Sequence, residues 1–253
     1  MLNDTPDTKL RFPVILFDLG NTLIYFDGDW PRVFPQCDLA MLERLKQAGL
    51  DLDEGDFLRQ YDESLKAYYE QRDTEFIEYT STYILRKLLA EWGYPDVSDE
   101  VLRSALDAWY AVEQEYWKVE ADTHATLQFL CKAGYRLGMI SNAADDKDVQ
   151  VLVDRAGIRP YFDLILSSAS LGIRKPNPLI FHAALAHWGV KPSQAMMVGD
   201  TLGADILGAR NAGLYSVWIT RRADTAANRA HADTVLPEAI IQDFGGLLEL
   251  LRL

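Results

Sequence analysis

Phe17-Asp18-Leu19-Gly20-Asn21-Thr22-Leu23 directly follows the apolar run Val14-Ile15-Leu16. A short apolar run bounded by turn residues reads as a buried strand. A carboxylate at the carboxyl end of such a strand stands where open α/β sheets build their sites. The Gly20-Asn21 pair lets the backbone turn sharply beside it. This stretch therefore aims one Asp into a crevice.

Downstream of about residue 121, apolar runs alternate with helical patterns. Residues 135–140 read as a strand that ends at Ser141-Asn142, and 162–166 as the next. Residues 195–198 break at Gly199-Asp200, and 215–219 form a further strand. Helical spacing fills the gaps: Val149, Leu152, Val153 and Ala156 before Gly157, then Phe181, Ala184, Leu185 and Trp188 before Gly189. Leu127, Leu130 and Cys131 share another such stripe, which makes Cys131 an expected core residue. Phe244, Leu247, Leu248 and Leu251 mark a last helix. This β-α alternation predicts an α/β fold, a doubly wound parallel sheet covered by helices on both faces.

Residues 30–118 carry no clear strand. Phe57, Tyr61, Leu65 and Tyr68 share one helical face; Ile77, Ile84, Leu88 and Trp92 a second; Leu102, Ala105, Trp109, Val112 and Tyr116 a third. The expectation is an all-helical insertion between core segments 1–29 and 119–253. It is expected to be tethered only by two short connections and to move against the core. Most of the tyrosines and tryptophans fall within it. They pack its interior, and a few are candidates to line a pocket facing Asp18.

Composition excludes several classes of function. The 253 residues carry a net charge of −13, which disfavours a nucleic-acid phosphate backbone as partner. No run approaches the roughly 18 apolar residues of a membrane helix. The stretch 1–7 lacks the basic and apolar regions of a signal peptide. Cys37 and Cys131 make no disulfide framework, so a cytoplasmic setting is expected. His124, His182, His187 and His231 show no metal-ligand spacing. The chain is expected to act as a monomer or homodimer on a small molecule.

Four short motifs lie at strand ends or in adjoining loops: Asp18 with its Gly-Asn turn, Ser141-Asn142, Lys175 in Arg174-Lys175-Pro176-Asn177-Pro178, and Gly199-Asp200-Thr201-Leu202-Gly203-Ala204-Asp205. In a parallel sheet all carboxyl ends point to one edge, so Asp18, Ser141 and Asp200 meet there, with Lys175 reaching in from a loop. Their chemistry is mutually consistent. Asp18 and Asp200 are hard oxygen ligands suited to Mg²⁺. Lys175 offers charge and Ser141 a hydroxyl to a phosphoryl group, and an Asp can attack phosphorus and carry the group covalently. Asp205, in the first turn of a helix, suits its positive end and is placed to orient Lys175. Each motif alone has an ordinary reading as turn, loop or solvated lysine. Their order and placement together carry the inference.

The set resembles the haloacid dehalogenase superfamily, mostly Mg²⁺-dependent phosphatases, over residues 13 to about 220. The resemblance implies a Rossmann-like core with a smaller helical cap domain inserted after the first motif. It makes Asp18 the nucleophile. It assigns Mg²⁺ to Asp18, Asp200 and the Gly20 carbonyl, and the phosphoryl group to Ser141, Asn142 and Lys175. The implied activity is hydrolysis of a small phosphorylated metabolite through an aspartyl-phosphate intermediate.

Gly20 departs from the family pattern, which places an acid/base Asp two residues after the nucleophile. Three explanations stand side by side. The leaving group needs little protonation; another acid substitutes, with Asp27 and Asp29 nearest in sequence; or the protein is a weak or non-catalytic binder. A metal-independent dehalogenase-type hydrolysis of a C–X bond is a further alternative, because such enzymes also lack the second Asp.

Overall fold

Val14–Phe17 (β1) are all fully buried and all apolar, as a strand covered on both faces must be. The structure, a computed structural model, describes residues 11–253; the stretch 1–7 read above for targeting signals lies outside them. β1 is central in a six-stranded sheet of order β5-β4-β1-β6-β7-β8. The other strands are Arg136–Ser141 (β4), Leu164–Ser167 (β5), Ala195–Gly199 (β6), Tyr215–Ile219 (β7) and Ala239–Ile241 (β8). Every neighbouring pair is parallel. From β1 the chain builds outward through β4 and β5, then returns to the other side of β1 and builds outward through β6 to β8. The order therefore reverses between β1 and β6, where a doubly wound sheet opens a crevice at its carboxyl edge.

Alternation along β1 divides the interior into two layers. Ile15 and Phe17 pack with Leu127, Val149 and Phe244 of the helices Thr123–Lys132 (α5), Asp146–Arg155 (α6) and Phe244–Leu251 (α11). Val14 and Leu16 pack with Phe181 and Ala209 of Pro178–Ala186 (α8) and Leu207–Ala212 (α9). The second layer is tight at Gly208. A Cβ there would stand 2.6 Å from Phe181 Cε2 and 2.9 Å from Pro176 Cα. Gly208→Ala is therefore expected to cost about 1–3 kcal/mol, because the backbone of the Lys175 loop has to give way. Chemical denaturation at unchanged slope checks this.

The chain leaves the core at Ile24–Phe26 (β2) and re-enters at Trp117–Val119 (β3). These pair antiparallel, Ile24 with Val119 and Phe26 with Trp117, apart from the main sheet. Between them run Trp30–Gln47 (α1), Glu54–Glu75 (α2), Ser81–Glu91 (α3) and Asp99–Glu113 (α4). Asp53, Thr80 and Ser98 cap the last three, each accepting from a backbone N–H three residues on. Cys37, Met41, Phe57, Leu85, Leu102 and Leu106 form the unit's own core.

Four expectations are corrected. β3 starts within the segment read as strandless. Ile77 is not helical but bridges to Ile173 beside the core. Cys131 is exposed, because α5 buries Leu127 and Leu130 and turns the next position outward. The helical unit has more than two tethers: Arg103 pairs with Asp145 at 2.6 Å, Lys147 with Asp107 at 2.7 Å and Arg174 with Glu78 at 3.3 Å. Ser168 also donates to the buried Glu78 carboxylate, which Tyr68 holds from within the helical unit, and Ser81 N–H donates to the Ala144 carbonyl. No helix among the described residues is long and apolar enough to cross a membrane.

Candidate active site

Register places the site. Phe17 pairs with Val198 of β6 and Met139 of β4. The next residue of β1, Asp18, therefore leaves the sheet beside the last residues of both neighbours. Its N–H donates to the Val198 carbonyl at 2.9 Å. Asn21 takes the sharp turn, at φ 57°, which asparagine tolerates better than most residues. Gly20 does not occupy that region.

Lys175 is almost wholly buried, with its Nζ 2.6 Å from Asp18 Oδ1, 2.7 Å from Asp205 Oδ1 and 2.7 Å from the Ile140 carbonyl. Burial opposes its charge, but attraction to the two carboxylates outweighs this and raises its pKa. Asp205 enters from a π-turn over Leu202–Ile206, a form frequent at functional sites. Its Oδ2 accepts from Thr201 N–H at 2.9 Å. That approach is open only because residue 199 is glycine: a Cβ there would sit 2.4 Å from Asp205 Cγ. Both Asp205 oxygens are thus engaged.

Asp18, Asp200 and Asp205 are all buried, and one oxygen of each lies within 4.8 Å of the others. Burial, with repulsion from Asp205 and against the pull of Lys175, pushes Asp18 up to about 6. Burial and the charges of Asp18 and Asp205 push Asp200 up to about 8. Three carboxylates share one ammonium, which leaves an excess of negative charge on buried side chains. Such a set suits a divalent cation. With Asp205 held by Lys175 and Thr201, and Asp18 Oδ1 by Lys175, the oxygens left for a cation are Asp18 Oδ2 and those of Asp200.

A cavity of about 290 Å³ opens over these groups, lined also by Gly20, Ser141, Arg174 and Thr201. The four sequence motifs therefore converge on one space. Asn142 lines it too, but its amide works in both directions on the backbone of Lys175: Nδ2 donates to the carbonyl and Oδ1 accepts from the N–H, each at 2.9 Å. The side chain read as a phosphate ligand is here a clamp on the lysine loop. Asp27 and Asp29 are corrected outright as substitute acids. Both are exposed on the connection after β2, Asp29 pairs with Arg32 at 3.2 Å, and neither lines the cavity.

Several residues at the site escaped sequence reasoning. The Asp200 carbonyl accepts from Trp218 Nε1 and from Asn228 Nδ2, each at 2.8 Å, which fixes the end of β6. Trp117 faces Gly20, its Cη2 3.4 Å from where a Cβ would stand. Trp117 Nε1 donates to Glu113 Oε2 at 2.6 Å, and Gln114 Nε2 donates to Asp148 Oδ1 at 2.7 Å. Burial is the main force raising the pKa of both Glu113 and Asp148, and the charge of Asp148 adds to it at Glu113. Asp148 lines the cavity.

Comparison with known proteins returns a consistent picture. The haloacid dehalogenase-like hydrolase family matches residues 12–213. The chain is 31% identical over 215 residues to the glyceraldehyde 3-phosphate phosphatase of Methanopyrus kandleri, covering 82% of this chain and 83% of that one. It is 31% identical over 234 residues to the ribulose-1,5-bisphosphate 5-phosphatase of Halopiger xanaduensis, covering 87% and 92%. Among solved structures, a 2-haloacid dehalogenase from Pseudomonas syringae pv. Tomato superposes with TM-score 0.68 at 25% identity, covering 95% of this chain and 98% of that one.

Proposed function

This chain belongs to the haloacid dehalogenase-like hydrolase family, and on that premise we propose that it is a Mg²⁺-dependent phosphatase of small phosphorylated sugars acting through an aspartyl-phosphate on Asp18. That it is a hydrolase of phosphatase type follows from the family and from relatives named as phosphatases. The observation that carries the finer reading is the buried trio Asp18, Asp200 and Asp205 against the single ammonium of Lys175. The sugar is supported by the substrates in the names of those two relatives.

In this reading one carboxylate oxygen of Asp18 attacks phosphorus. Lys175 is held within reach of both Asp18 and the incoming anion, and it neutralises charge on the phosphoryl oxygens. Ser141, at the end of β4, adds a hydroxyl donor. Asp205 and the Asn142 clamp keep Lys175 in place, so the positive charge is set before substrate arrives. Asp18, Asp200 and the Gly20 carbonyl would hold Mg²⁺, which when bound would offset charge on the transferring group. The helical unit, 30–118, is the cap over core segments 1–29 and 119–253, and its closure excludes water. The cation-cradle charge balance does not favour a dehalogenase or a non-catalytic binder.

The test is phosphate release from a panel of triose to pentose phosphates, with Mg²⁺ and with a chelator. Turnover of at least one is expected with Mg²⁺, falling by about 10²-fold or more on chelation. Protein that binds Mg²⁺ yet releases phosphate from none of them refutes the reading.

A further inference from the structure

We infer that Asp148, with Glu113 beside it, is the acid that protonates the leaving oxygen in place of the residue missing at Gly20. The inference rests on the phosphatase reading and adds to it the group that reading lacks.

Three observations place it. Asp148 lines the cavity over Asp18 and also an adjoining one of about 220 Å³. The two share Trp117, Asn142 and Ala143, and the second is walled by Tyr61, Tyr68 and Tyr110 of the helical unit. A leaving group that extends from a phosphoryl group at Asp18 toward the second cavity passes the wall on which Asp148 stands. Next, the space a side chain at position 20 would enter is bounded by Trp117, whose indole is held by Glu113. Glu113 in turn stands close enough to Asp148 for the charge of Asp148 to raise its pKa. The wall opposite Gly20 thus carries a carboxyl pair where the usual acid is absent. Finally, the pair holds a proton near neutral pH: burial pushes Asp148 up to about 7 and Glu113 to about 8.

The neighbours around Asp148 fit a proton donor. Asp145, which caps α6 and accepts from the Asp148 N–H, is engaged by Arg103 of α4 at 2.6 Å, and Lys147 is engaged by Asp107. Arg103 draws the Asp148 pKa down and Asp145 draws it up. Tyr110 of α4 is buried nearby and stays protonated. The Gln114 amide on Oδ1 stabilises the carboxylate left after the proton is given.

The steps balance. Asp18 attacks phosphorus, the P–O bond to the leaving group breaks, and that oxygen takes the Asp148 proton and departs as an alcohol. Water then attacks the acyl phosphate at phosphorus, its proton passes to the Asp148 carboxylate, and Asp18 is freed with inorganic phosphate. Asp148 is regenerated, and the net change is one water consumed per ester.

The experiment compares an alkyl phosphate, whose alkoxide cannot leave unprotonated, with p-nitrophenyl phosphate, whose phenolate can. Asp148→Asn is expected to lower the ratio of alkyl to aryl kcat by about 10²-fold, the usual worth of a general acid. Glu113→Gln, which keeps an acceptor for Trp117 but no longer titrates beside Asp148, provides a second variant. It is expected to move the high-pH limb of the alkyl kcat profile to lower pH, because the Asp148 carboxylate loses a neighbour that can become negatively charged. An Asp148→Asn enzyme with an unchanged alkyl-to-aryl ratio overturns the inference. So does a Glu113→Gln profile that coincides with wild type. Wild-type protein that hydrolyses neither ester overturns the phosphatase reading instead, so the two failures are distinct.

Discussion

Asp18→Asn is expected to lower phosphate-ester turnover by about 10⁴-fold or more while the protein stays folded. Asparagine matches aspartate in volume, so the packing at the end of β1 is kept. Its amide is a poor nucleophile and cannot form a stable acyl phosphate. The same change removes one of three buried carboxylates that share a single ammonium. Lys175 retains Asp205 at 2.7 Å, so its charge stays compensated. Without added metal, the thermal midpoint of the variant should therefore equal or exceed that of the wild type. Loss of function without loss of stability is the signature of a group strained for its task. Turnover near wild type would place the nucleophile elsewhere. A collapsed thermal midpoint would show that Asp18 is chiefly a partner for Lys175.

Lys175→Met has the opposite profile, and its expected effect on stability is the largest of any change discussed. Methionine approximates the lysine stem, so the cavity it leaves is small. What it removes is the ammonium between Asp18 and Asp205, leaving buried carboxylates uncompensated. Breaking a buried pair by deleting one partner costs about 3–5 kcal/mol. Turnover should vanish as well, because the phosphoryl oxygens lose their cation. A divalent ion that binds the folded state should restore part of the stability. Urea unfolding with and without Mg²⁺ measures both effects. A variant as stable as wild type in the absence of metal would mean that the carboxylates are already protonated, and that Lys175 contributes little to holding the fold.

The parts of this molecule legible in its sequence are those fixed by local pattern. β1 was readable because a strand buried on both faces must be apolar at every position, and Val14 to Phe17 leave no alternative. Asp18 and Asp200 followed because strand ends in a parallel sheet share one edge. Lys175 was readable through its place in the order of motifs. The second wall of the site was not. Glu113, Trp117 and Asp148 come from the end of α4, from β3 and from α6, and they meet only through the way the helical unit docks. No periodicity encodes that docking. Asp27 and Asp29 misled for the converse reason: they are close to Asp18 in sequence, but β2 carries the chain away from the cavity and leaves them in solvent. Asn142 shows a subtler limit. Its type and position fit a ligand, and only the two hydrogen bonds to Lys175 reveal that its amide is already committed.

The β2–β3 ribbon has a consequence for how such a chain can diverge. Its two strands run side by side, Ile24 opposite Val119, so the outgoing and returning backbones are only about 5 Å apart. Everything between them is a loop whose ends are already joined. Lengthening, shortening or rewriting that loop adds almost nothing to the entropic cost of assembling the sheet, since closure entropy grows only with the logarithm of loop length. Asp18, Lys175, Asp200 and Asp205 all lie outside it. A change within that loop can therefore leave the four-residue cluster at the sheet edge untouched. The residues on β3 and at the end of α4, at the seam, are where a change in one part is felt by the other.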